Sequence, residues 1–391
     1  MGGTLTQPDT DQPRTHAPCR LRELAGYFLT LGTFGFGGPI ALAGYMQRDL
    51  VERRGWITAD EYKEGLALAQ LAPGPLAAQL AIYLGWVRFR IVGASVIATV
   101  FILPSFLMVL GLAALYVAFG GLSWVQGAFY GIGAAVIAII GRSAYKLVKL
   151  SIGKDIALWV VFAASAIATG WTEREILWLF LASGVAIMVV RGWRPSAAAS
   201  FVPWWLVTGL AGPETVGTLG TLTWYFANAG ALVFGSGLAI VPFLHGGCVD
   251  EYHWLTEQQF LDAVAIAMIT PGPVVITVAF IGYLVAGPAG AAAAAIGVFL
   301  PCYLFVIIPA PYFKRLSNNR WVRAFVDGVS AAAAGAIAGA AFVLGRRAIV
   351  DAPTVAILGG VLLVQWRLRK IPEPLVIAAA GLVGLAIRTW T

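Results

Sequence analysis

Two tripeptides, Pro73-Gly74-Pro75 and Pro271-Gly272-Pro273, interrupt apolar runs that otherwise read as helices. A proline inside a lipid-exposed helix frees a carbonyl that hydrocarbon cannot satisfy, so such breaks persist only where protein or a wet cavity surrounds them. A half-helix that starts at a break presents unpaired N–H groups and the positive end of its dipole, and both attract an anion. Gln70, Gln79, Thr270 and Thr277 stand nearby as further donors. The competing reading is a structural kink; recurrence of the tripeptide at equivalent places favours a substrate site.

Glycine-rich segments precede both breaks. The first, "GTFGFGGP" over 32–39, carries Phe34, Gly35, Gly37 and Gly38; the second is Gly235-Ser236-Gly237. Such glycines let backbone approach a ligand, or let membrane helices pack closely. Glu64 and Asp262 each stand where a polar loop enters a broken segment, as carriers of a coupling proton or as solvated charges favourable to a helix N-terminus. Arg48, Arg88 and Arg90 could collect anions at the mouth of a pathway, although topology alone accounts for them. His245 and His253 lie near Asp250 and Glu251, but His-x7-His is not a metal-ligand spacing, and a solvated loop is the expected state. With three histidines in the chain, no catalytic Ser/His/Asp or Cys/His set can be assembled. No catalytic residue, metal or cofactor is expected, and the chain does not read as an enzyme.

These residues must be positioned by membrane helices. The 391 residues are 59% hydrophobic and 12% charged, with mean hydropathy +0.82. Those values exclude an ordinary soluble domain and predict an all-α polytopic membrane protein with lipid as its surroundings. The net charge of +7 sits in short breaks between apolar runs, which is positive-inside bias and no footprint for nucleic acid. Cys19, Cys248 and Cys302 are too scattered for a disulfide framework. Residues 1–22 read as a disordered cytoplasmic tail, with no apolar core of a signal peptide.

The chain is one design written twice. Phe34-Gly35 recurs at Phe234-Gly235, Trp56-Ile57-Thr58 at Trp254-Leu255-Thr256, the PGP tripeptide at 271–273, Pro104 at Pro301 and Trp124-Val125 at Trp321-Val322; the offsets are 200, 198, 198, 197 and 197. Equivalent loops carry opposite charge: 47–63 hold Arg48, Arg53, Arg54 and Lys63 while 245–261 hold no Lys or Arg, and 119–123 hold none while 314–323 hold Lys314, Arg315, Arg320 and Arg323. By the positive-inside rule one half is upside down relative to the other, as in many secondary transporters. The expected organisation is a first repeat over 23–195, a connecting segment over 196–220 that could supply an extra span, and an inverted second repeat over 221–391. About 10–13 membrane segments follow from ~20 residues per crossing. The basic residues around 20–22, 48–63 and 88–90 allow 24–46 and 64–87 to enter and return as hairpins, or to be two plain spans. Arg346 and Arg347 fall on the wrong side of this scheme.

Together the F-G-x-G segment, the W-I/L-T lead-in, the acid before A-x-A-x-x-x-P-G-P and the later Leu-Pro span resemble the chromate ion transporter family in its long, two-domain form. The resemblance implies an inner-membrane secondary transporter that exports chromate and confers chromate resistance, with sulfate as the related oxyanion. Residue spacing alone leaves open a passive oxyanion channel, and a membrane enzyme or assembly factor. A homodimer is compatible with the sequence. The departures from symmetry, Phe36 against Ser236 and Gly38 against Leu238, place more of the expected substrate contact on the first copy.

Overall fold

The computed structural model describes residues 17–36, 38–119, 123–172, 177–191, 217–232, 240–313, 319–349, 351–368 and 371–390. The first repeat contributes α1 (Leu21–Phe34), α2 (Gly38–Met46), α3 (Ala59–Leu71), α4 (Leu76–Phe119), α5 (Ser123–Ser151), α6 (Ile156–Thr172) and α7 (Leu177–Val190). The second contributes α8 (Thr218–Leu232), α9 (Ile240–His245), α10 (Glu257–Ile269), α11 (Thr277–Ile307), α12 (Arg320–Ala348), α13 (Ala352–Arg367) and α14 (Glu373–Trp390). A wide helical turn follows α2 (Gln47–Arg53) and α9 (Gly246–Glu251), so the repeats match element by element. The chain is an all-α polytopic membrane protein. Among the described residues, four stretches are long and apolar enough to cross a membrane: Leu76–Phe119, Trp124–Lys146, Val274–Tyr312 and Arg320–Ala348. Most of the expected connecting segment, 196–220, lies outside the described residues.

The W-I/L-T lead-ins are helix starts. Thr58 Oγ1 accepts from the Glu61 amide at 3.2 Å while the Glu61 carboxylate accepts from the Thr58 amide at 2.9 Å. Thr256 and Gln259 repeat this reciprocal cap on α10. Both long helices fold back on themselves. Phe89 (φ −137°) and Arg90 (φ 53°) leave helical geometry in α4, and Ala286 (φ −145°) and Gly287 (φ 61°) do so in α11. Each fold is closed by a glycine pair: a Cβ on Gly85 would stand 2.6 Å from Gly93 O, and one on Gly282 would stand 2.3 Å from Gly290 O. Residues eight apart in a straight helix are separated by about 12 Å, so each helix is two antiparallel arms.

Three contacts decide the topology. Ala17 N donates to Gly55 O at 3.1 Å and Arg88 Nη2 to Ala17 O at 3.4 Å. The start of α1, the loop before α3 and the turn of α4 therefore share one face. α1 with α2, and α3 with the first arm of α4, enter and return, so the hairpin alternative holds. Ser95, just past the α4 turn, meets Tyr303, near the end of α11, through their hydroxyls at 2.7 Å. The second arms thus run antiparallel and the α11 turn lies on the opposite face, which is the inversion that the charges predict.

The outer helices are exchanged between repeats. α5 packs on α13 and α14 of the second repeat, and α12 packs on α6 and α7 of the first. Small residues make these contacts close: a Cβ on Gly131 would fall 2.0 Å from Ala380 O, and one on Gly335 2.3 Å from Phe162 O. The small-residue run of α12 is structural. The core between the broken helices is filled by Phe28, Phe101, Phe226, Phe260 and Phe280, all fully buried.

Candidate functional site

The two repeats cross at their breaks. Gly272 N donates to Gly35 O at 3.1 Å, tying the second PGP to the first glycine segment. Ser105 Oγ, on the second arm of α4, reaches Pro271 O at 2.7 Å and Gly32 O at 3.3 Å. Cys302 is the residue 197 positions later on α11, and its thiol lies against Gly74: a Cβ there would stand 3.0 Å from the sulfur. Each long helix therefore presses on the other repeat's PGP. Both central glycines need positive φ, +137° at Gly74 and +99° at Gly272, which side-chain-bearing residues rarely adopt.

The other expected contacts divide. Gln79 is fully buried; its Nε2 donates to Pro73 O at 2.5 Å and its Oε1 has no partner. Thr270 donates to Ile266 O and Thr277 to Val274 O, so both hydroxyl protons are held by local backbone. Pro75, Pro271, Gly272 and Pro273 are buried and Pro73 is half-buried, whereas Gln70 is exposed and is not brought to the crossing by any hydrogen bond. Phe34 is exposed, Gly35 is buried and Gly38 has φ +76°. Gly37, Gly235, Ser236 and Gly237 lie outside the described residues.

Two vestibules approach from opposite faces. One, about 630 Å³, opens on the face of the α4 turn and reaches Phe34, Gly35 and Phe36; Arg48, Arg142 and Lys146 line it with Asp49 and Glu373. The other, about 360 Å³, lies between the far end of α4, the start of α5 and the start of α10, and ends at Asp262. Of the three arginines expected at a mouth, Arg48 lines the first vestibule. Arg88 instead holds Ala17, and Arg90 stacks on Trp86 with its guanidinium carbon 4.7 Å from the ring centroid. Arg142 and Lys146 carry no sequence motif; their i, i+4 spacing on α5 was the available signal.

The paired acids differ. Glu64 is half-buried and accepts from Tyr83 OH at 3.3 Å. Asp262 is only 3% exposed, and its oxygens accept from Tyr116 OH and Gln258 Nε2, both at 2.8 Å. Tyr116 belongs to the other repeat, so Asp262 joins the halves with neutral donors.

His245 corrects the expectation of a solvated loop. It is 4% exposed, because the turn after α9 folds under α10 and sets its ring edge-on to Phe260. Its Nε2 lies 2.9 Å from Glu257 Oε2 and its Nδ1 3.4 Å from Asp250 Oδ2. The Arg347 guanidinium contacts Glu257 and lies 3.9 Å from Asp250. These carboxylates already hold a cation, which also explains how Arg347 escapes the charge rule. His253 is exposed, as expected for a loop.

The comparisons with known proteins agree with this two-part arrangement. A family profile described as Chromate transporter matches residues 22–188 and 220–385. The chain is 57% identical over 380 residues to the chromate transport protein of Cupriavidus metallidurans, covering 93% of this chain and 92% of that one. It is 52% identical over 378 residues to the probable chromate transport protein of Synechococcus elongatus, covering 95% and 96%. No solved structure matches the chain.

Proposed function

Since the chain belongs to the chromate transporter family, we propose that it is a secondary transporter that carries chromate out of the cell across a bacterial inner membrane and so confers chromate resistance. The observation that supports this reading best is the pair of vestibules on opposite faces, one reaching Gly35 at the crossed breaks and the other ending at Asp262 on the helix that leads into the second break. Closing one while opening the other is alternating access about a fixed site. The face bearing Ala17, Gly55 and Arg88 is cytoplasmic, because the basic loops gather there.

The helix starts after Pro75 and Pro273 bring N–H groups and dipoles to the crossing, where a tetrahedral oxyanion needs oriented donors in place of water. Sulfate, of like shape and charge, competes for the same donors. Export is electrically downhill: a dianion leaving an inside-negative cell gains about 4.6 kcal/mol per 100 mV, twice the single-charge value. Asp262, buried between the repeats, carries the coupling proton, and Glu64 plays at most a lesser part. The test is chromate accumulation in cells with and without the intact chain, competed with sulfate. Lower accumulation in cells that carry it supports the reading; equal accumulation refutes it.

A further inference from the structure

We propose that the vestibule on the α4-turn face contains a separate capture site for tetrahedral oxyanions, built from Arg142, Lys146, Arg48 and the hydroxyl of Tyr27, where substrate binds before reaching the breaks. The proposal deepens the transporter reading and rests on it. Arg142 and Lys146 stand one turn apart on α5, and among the described residues no carboxylate forms an ion pair with either. Arg48 is balanced by Asp49 at 3.3 Å, and Asp49 also takes Arg53; Glu373 stands across the mouth. Arg142 and Lys146 therefore stand without an ion-pair partner among the described residues, at the mouth of a pathway that ends at the first glycine segment.

The second repeat supplies an internal control. Tyr225 is the counterpart of Tyr27, 198 positions later, and its hydroxyl donates to Phe243 O at 2.8 Å. The Tyr27 hydroxyl is buried in the vestibule wall and has no partner. A buried hydroxyl without a partner is costly unless a ligand or water supplies one. The counterparts of Arg48, Arg142 and Lys146 are Gly246, Gly339 and Val343, so the same fold builds the cationic mouth on one side only. Two unpaired cations and a hydroxyl donor fit an ion with several acceptor oxygens and a charge of −2. An anionic lipid headgroup offers the same chemistry, and the test separates the two.

Chromate binding is measured by calorimetry on the purified full chain in nanodiscs of zwitterionic lipid, and chromate flux is measured in vesicles of the same lipid. With Arg142→Gln and Lys146→Gln together, half-saturation on this face rises roughly tenfold while the maximal rate stays within about twofold, and the salt dependence of capture becomes shallower. Tyr27→Phe weakens binding by about threefold, and Arg142→Lys with Lys146 intact restores most of the affinity. Unchanged half-saturation, or a fall in maximal rate alone, overturns the capture site. So does a difference that exists only when phosphatidylglycerol is added, which would assign the cations to lipid. Wild-type protein that binds chromate with this cation dependence yet moves none would defeat the transporter reading and leave capture standing.

Discussion

Ser105 and Cys302 hold equivalent positions on the two long helices, and each presses on the break of the other repeat, but they do so unequally. The serine hydroxyl makes a 2.7 Å bond to Pro271 O, while the thiol makes its shorter contact, 3.1 Å, to Val298 O of its own helix. Among the described residues the second break is further tied by Gly272 N to Gly35 O, and the first is braced from within by Gln79; Gly235, the counterpart of Gly35, lies outside the described residues. The paired acids also differ: Asp262 is sealed between repeats by Tyr116, and Glu64 is half-buried and accepts from Tyr83 of its own repeat. One repeat thus supplies a fixed wall and a buried carboxylate. The other supplies a break braced by Gln79 and a cationic approach.

The sharpest way to break that comparison is at the central glycines. A Cβ on Gly272 would stand 2.0 Å from Ser105 Oγ, and one on Gly74 would meet the movable end of Gln79 at 2.5 Å. Gly272→Ala should therefore destabilise the fold by about 3 kcal/mol or more, the range of combined overpacking and backbone strain. Gly74→Ala with Pro73→Ala should abolish transport while leaving protein in the membrane. Thermal unfolding of the purified variants and flux in vesicles check both, and equal destabilisation by the two glycine changes would remove the fixed-wall distinction.

Next in size, Asp262→Asn should lower proton-driven chromate flux on the order of tenfold, about 1.4 kcal/mol, and Glu64→Gln by less than about threefold. Flux measured with and without an imposed pH gradient checks this, and the ordering would be contradicted by a larger effect at Glu64. Ser105→Ala should cost about 1–2 kcal/mol of stability, because Pro271 O loses a buried donor, and Cys302→Ala should cost less.

The smallest effects belong to the loops that join exchanged helices. Asp155 hydrogen-bonds Arg191 at 3.0 Å, which holds its carboxyl below the ordinary range, and Arg191 also bonds Asp327 at 2.6 Å. On the other face Tyr130 and the Thr354 backbone hold Asp351 low in the same way. Folded values below the unfolded ones mean that this stability is present above about pH 4 and is lost as pH falls through the folded value. The Asp155 side chain is 38% exposed, so Asp155→Asn should change stability by less than about 1 kcal/mol at neutral pH. A thermal-melt pH series checks the sign.

Much of this was legible in the chain. The near-constant offsets exposed the repeat, and the reversed loop charges exposed its inversion, because lipid forces charge to the ends of segments. Arg88 and Arg90 marked the turn of α4 for the same reason. The exchange of α5 and α12 between repeats was not legible: small residues report close packing but not the partner. Arg142 and Lys146 stayed hidden because two cations on one apolar helix read as a membrane boundary until the fold sets Tyr27 and Arg48 opposite them. His245 was misread because local spacing says nothing of the Arg347 that arrives from a helix 102 residues later.

Counterflow tests the central claim most directly. Vesicles bearing the protein are loaded with unlabelled chromate and diluted into labelled chromate with no pH gradient or membrane potential. Alternating access at a single crossed site predicts that label rises transiently above its equilibrium level and then falls, and that Asp262→Asn still exchanges although its net proton-coupled flux is lowered. A monotonic approach to equilibrium, with no overshoot at any load, would contradict the account and leave a passive pore in its place.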